Sequence, residues 1–132
     1  MSDWFLAAES DADGIAAGEF DDLPHLSVPL RRTELAALYA ALTEGAAEDP
    51  KAPTGLLAVE ADTGMIVTRV PAEAVEKLAE MTPRTVRPVM AVWAEAIGHD
   101  EPDALGETLS ELAAFARDSA QAGRPVLQLA PY

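Results

Sequence analysis

Cysteine is absent from the chain, which excludes disulfides, a thiolate nucleophile and any Cys-based zinc site. Aromatic residues are scarce at 5 %. No apolar run approaches the ~18 residues that a membrane-spanning helix needs. The N-terminal stretch begins Met1-Ser2-Asp3, without the basic and apolar regions of a secretory signal, so a cytoplasmic protein is expected. Lys and Arg are missing from the first 30 residues, where Asp3, Glu9, Asp11, Asp13, Glu19, Asp21 and Asp22 all occur. Over the 132 residues, 23 acids face 9 bases, for a formal net charge of -14. Such a surface repels nucleic acid and anionic lipid and attracts cations or basic proteins.

What is present is enough for a folded core. Hydrophobic residues make up 49 % of the chain, too many for a disordered acidic tail. Ala is the commonest residue by far, so helices packed closely through small side chains are expected. The length fits one domain spanning residues 1–132.

The apolar run Trp4-Phe5-Leu6-Ala7-Ala8 reads as a strand. The stretch from Asp11 to Gly18 reads as one or two helical turns with acids at the positive end and Gly as terminator. Phe20-Asp21-Asp22-Leu23-Pro24 reads as a loop. From His25 to Leu30 apolar and polar residues alternate, and Pro29, which cannot donate to a ladder, makes this an edge strand or an extended approach to a helix, with His25 half-buried. Leu35, Leu38, Tyr39 and Leu42 lie at three-and-four spacing in a helix from Thr33 to Glu44, closed by Gly45. A loop from Ala46 to Pro53 follows.

Two strands flank Ala61-Asp62-Thr63-Gly64, whose Asp and Gly supply turn chemistry for a hairpin from Gly55 to Val70. Pro71 opens a helix carrying Val75 and Leu78. Thr82-Pro83 opens another, with Val86, Val89, Met90, Trp93 and Ile97 inward, which Pro88 is expected to kink or delay by a turn. The helix from Asp103 to Ala122 repeats Leu105, Leu109, Leu112 and Ala116 on one stripe, then stops at Gly123. Pro125 to Leu129 is a last strand. This order predicts an α+β domain: a single mixed, mostly antiparallel sheet of about 4–5 strands with about 4–5 helices packed on it.

Four phrases carry a resemblance to a family: the aromatic strand Trp4-Phe5-Leu6-Ala7; Leu42-Thr43-Glu44-Gly45 at a helix end; Trp93 ahead of His99-Asp100-Glu101; and Leu112-Ala113-Ala114-Phe115-Ala116-Arg117 running to Ala122-Gly123-Arg124-Pro125-Val126-Leu127. Together they resemble the YfbM-like bacterial domain of unknown function and its small actinobacterial relatives. The chain departs from that pattern before Leu42, where Ala36, Ala37 and Tyr39 stand in place of the Trp and His often found there. The resemblance implies a fold more than an activity.

Of the candidate sites, the carboxylates Glu9, Asp11, Asp13, Glu19, Asp21 and Asp22 stand first. They suit a face that captures a basic protein, with Trp4 as a possible anchor beside them. The same acids also suit a solvated surface that keeps an Ala-rich domain soluble. Asp11-x-Asp13-Gly14 resembles the start of a calcium loop but lacks the later oxygen ligands and the closing Glu, so no metal or other cofactor is expected. His99-Asp100-Glu101 is the secondary candidate, a His beside two carboxylates, although capping of the following helix explains Asp100 or Glu101 equally well. No Ser nucleophile elbow or Gly-rich phosphate loop is present, so no catalytic residue is assigned. The expectation is an acidic binding protein, of immunity or antitoxin type, that neutralises a basic protein. The alternative is a small-ligand protein or carboxylate-based enzyme in which a pocket joins two acids to His25 or His99.

Overall fold

A computed structural model describes residues 2–43, 55–98 and 104–131. The loop expected from Ala46 to Pro53, the helix end at Glu44-Gly45 and the triplet His99-Asp100-Glu101 lie outside the described residues. Five strands form one sheet: β1 (Ser2–Leu6), β2 (His25–Val28), β3 (Leu56–Glu60), β4 (Met65–Arg69) and β5 (Val126–Pro131). Their order is β2-β1-β5-β4-β3, and every neighbouring pair is antiparallel. The sheet is therefore wholly antiparallel rather than mixed. The helices are α1 (Ala12–Ala16), α2 (Arg32–Thr43), α3 (Ala72–Ala79), α4 (Pro83–Ile97) and α5 (Ala104–Ala122), with a 3₁₀ turn at Glu9–Asp11.

The sheet is covered on both faces, and the alternation along each strand divides the core accordingly. Trp4, Leu6 and Val126 join Leu35, Leu38, Leu78, Trp93, Leu109 and Leu112 in the larger cluster beneath α2 to α5. Phe5, Ala7, Val67, Leu127 and Leu129 point the other way and close on Ala12 and Ile15 of α1. The short helix α1 is thus not an appendage but the lid of the smaller core. Burial on both faces explains why Trp4 to Ala8 reads as a continuous apolar run in the sequence.

β1 lies between β2 and β5, which fully buries Trp4. Its indole Nε1 donates to Tyr39 Oη at 3.2 Å and to Gln128 Oε1 at 3.3 Å, and the Tyr39 hydroxyl donates to the same Gln128 oxygen. A buried amide on β5 thereby holds an indole on β1 and a phenol on α2. Gln128→Leu removes that acceptor from a site only 3 % exposed, and is expected to cost about 1–3 kcal/mol of stability. Urea denaturation measures it; a neutral substitution would show that the network contributes nothing.

Trp93 is also fully buried, and its Nε1 donates to Glu34 O of α2 at 2.8 Å. Helix α4 begins at Pro83, where Thr82 N–H donates to Thr85 Oγ1 at 2.8 Å. The helix is not delayed to Pro88, because this capping pair fixes the first turn and Pro88 sits exposed within the helix. Arg117 of α5 donates to the carbonyls of Ala79 and Met81 at 3.3 and 3.0 Å, capping the end of α3. No helix among the described residues is long and apolar enough to cross a membrane.

Candidate functional site

Residues 8–24 place the N-terminal acids through a chain of local hydrogen bonds. Asp11 Oδ2 accepts from Ala8 N–H at 3.0 Å and so fixes the entry into α1. At the other end of α1, Gly18 adopts φ 85°, a left-handed value that reverses the chain where a side chain would be strained. Glu19 N–H then returns to Gly14 O at 2.8 Å. The next four residues form a turn closed by Leu23 N–H on Phe20 O at 3.1 Å. Phe20 and Leu23 pack against the smaller core, and the Phe20 ring meets Phe5 with centroids 4.7 Å apart. With both apolar ends drawn inward, the two central residues, Asp21 and Asp22, are left in solvent.

The outcome is a depression of about 500 Å³ lined by Asp11, Glu19, Asp21 and Asp22, with Phe20 and Leu23 also contributing to it. Four of the six carboxylates singled out in the sequence therefore surround one hollow. The side chains of Glu19, Asp21 and Asp22 are exposed and make no hydrogen bond or ion pair among the described residues. Glu9 is withdrawn from the group, because its Oε1 accepts from Arg69 Nη1 at 2.7 Å and ties the 3₁₀ turn to β4. Asp13 is exposed on α1 but does not line the hollow.

Trp4 does not belong to this face. The expected anchor is 0 % exposed, since β1 is an interior strand and its indole faces α2. His25 is exposed rather than half-buried: β2 is an edge strand, and its imidazole stacks on the ring of Phe5, its cross-strand partner, at 5.7 Å and 22°. It does not line the acidic hollow. Phe20 is the residue that sequence reasoning missed as part of the site. Its position between Glu19 and the pair Asp21-Asp22 was the available signal.

Chemically, the hollow offers fixed negative charge over an aromatic and aliphatic base. Among the described residues no group of three His, Asp or Glu side chains is arranged to hold a metal ion. Carboxylates spaced around a hollow of this kind suit ammonium or guanidinium groups carried on flexible side chains, each exposed pair contributing about 0–1 kcal/mol. An Arg or Lys entering it would also meet the Phe20 ring. Comparison with protein-family models, with curated proteins and with solved structures gives no match to this chain.

Proposed function

We propose that the protein is a small acidic binding protein that captures a basic protein through the α1–β2 face, in the manner of an immunity protein or antitoxin acting in the cytoplasm. The observation that supports this is the grouping of Glu19, Asp21 and Asp22, exposed and without partners among the described residues, around one hollow with Asp11. A carboxylate that serves only solubility needs no such framework. Here the backbone bonds of Gly14, Glu19, Phe20 and Leu23 hold the acidic turn against the core. Such preorganised charge speeds encounter with a cationic surface and suppresses encounter with anionic ones. The YfbM-like resemblance adds a proposed kinship of fold and assigns no activity.

The test is salt-dependent capture by the immobilised chain, followed by identification of what is held. One basic protein should be retained at 0.1 M salt and released at 1 M, as the screening length falls from roughly 10 Å to roughly 3 Å. The variant Glu19→Gln/Asp21→Asn/Asp22→Asn should lose it at both concentrations. Retention that is unchanged by salt or by this variant would remove the proposal. A basic toxin encoded next to this chain would name the partner directly.

A further inference from the structure

A second hollow, of about 330 Å³, lies between α3 and the C-terminal end of α5, over the adjoining ends of β4 and β5. That volume is within the range of sites for small organic molecules. Its walls are apolar: Val70, Val75 and Val126 are buried, and Ala79 is half-buried. Two of the chain's nine bases, Arg69 and Arg124, also line it, in a molecule where bases are few.

The two arginines differ in what they are free to do. Arg69 is engaged with Glu9. Arg124 follows Gly123, whose φ of 66° ends α5 and turns the chain toward β5. Its backbone is clamped on both sides by one buried residue: Arg124 N–H donates to Ser119 O at 3.3 Å, and the Ser119 hydroxyl donates to Arg124 O. Its own side chain is exposed and makes no hydrogen bond or ion pair among the described residues. A fixed backbone, a free guanidinium and an adjoining apolar hollow form a site for a molecule with one anionic end and a hydrocarbon body.

We propose that this cleft binds a small aliphatic monocarboxylate, its carboxylate paired with Arg124 and its tail against Val75, Ala79 and Val126. The planar guanidinium matches a carboxylate through two parallel hydrogen bonds. A dianion such as a phosphate ester is disfavoured. Glu76 also lines the cleft, Arg69 is already neutralised, and the chain as a whole carries -14. This proposal is independent of the acidic face.

The experiment is an amide-shift titration of the full chain with acetate, butanoate, hexanoate and the uncharged control hexanamide. Saturable shifts are expected at Ala79, Ser119 and Gly123, with affinity rising about fourfold per added CH₂ until the cleft is full. Hexanamide should bind at least about tenfold more weakly than hexanoate, and Arg124→Gln should weaken hexanoate to the same degree. Ala120→Trp, at an exposed position of α5 that lines the cleft, should abolish binding while leaving the rest of the spectrum in place. Equal binding of hexanoate and hexanamide, or no saturable shift in the cleft, would overturn the proposal. Glu19→Gln/Asp21→Asn/Asp22→Asn should leave the titration unchanged, so the two sites stand or fall separately.

Discussion

Replacing Trp93 by Ala is expected to lower the unfolding free energy by about 3–5 kcal/mol. The indole is 0 % exposed and lies in the cluster that joins α2, α3, α4 and α5, so its removal opens a cavity that small neighbours such as Ala94 cannot fill. The same substitution deletes the hydrogen bond from Nε1 to Glu34 O at 2.8 Å. Glu34 sits in the first turn of α2, where its carboxylate accepts from Arg31 N–H at 2.9 Å. The Trp93 side chain therefore joins the body of one helix to the capped start of another. Trp93→Phe keeps most of the ring volume and loses the donor, so about 1–2 kcal/mol should separate it from the native chain. Chemical denaturation followed by near-ultraviolet circular dichroism measures both. With total stabilities of about 5–15 kcal/mol usual for a domain, the Ala variant should be close to unfolding at 37 °C. A loss below about 1 kcal/mol would mean that Trp93 does not bear on the core as the structure places it.

Charge reversal at the acidic face should have the largest functional effect. Glu19→Lys/Asp21→Lys/Asp22→Lys raises the net charge from -14 to -8, and a control triple, Glu73→Lys/Glu80→Lys/Glu111→Lys on α3, its C-terminal cap and α5, raises it equally. All six side chains are exposed, so both variants should fold. If attraction is only a matter of net charge, association with a labelled Lys- and Arg-rich peptide will slow alike in both. If the α1–β2 face is the site, the first variant should lose about 10–10³-fold in on-rate at low salt, and the control much less. Stopped-flow fluorescence distinguishes the two. Asp11 is left out of the reversal because its carboxylate holds the turn at Ala8, and its loss would confuse folding with binding.

The elements whose signals are local were legible in the sequence. Asp62-Thr63-Gly64 marked the β3–β4 turn, and Gly64 takes the left-handed conformation that such a turn needs, with φ 73°. The Leu105, Leu109, Leu112 stripe marked the inner face of α5, and all three side chains are buried. Pro29 left an edge strand or an extended approach to α2 open for the segment before it, and β2 is an edge strand that ends at Val28. Strand order was not legible, because no local pattern states that β5 inserts between β1 and β4. That one placement also decides the fate of Trp4, an aromatic equally suited to a surface or an interior until its neighbours are known. The two-sided sheet was hidden for a related reason. A helix as short as Ala12–Ala16 shows no periodicity, and only Ile15 and Ala12 reveal, once folded, that it closes a second core.

For the acidic face, the residue types were legible and their convergence was not. Asp21 and Asp22 are adjacent and would be solvated in almost any fold. Their meeting with Glu19 and Asp11 depends on the reversal at Gly18 and on Phe20 docking under Phe5. Glu9 shows the converse, since a neighbour in sequence left the group for Arg69, 60 positions away. The cleft beside Arg124 gave no sequence signal, because its walls come from α3, α5 and the ends of two strands.

The central claim is that negative charge acts from one place on this surface, and amide-shift mapping with the Lys- and Arg-rich peptide tests it most directly. Saturable perturbations confined to Asp11, Gly14 and the residues from Gly18 to Leu23, and lost in Glu19→Gln/Asp21→Asn/Asp22→Asn, are the predicted result. Small, unsaturating shifts shared with Glu73, Glu80, Glu107 and Glu111 would contradict it, leaving those carboxylates as solvated surface and nothing more.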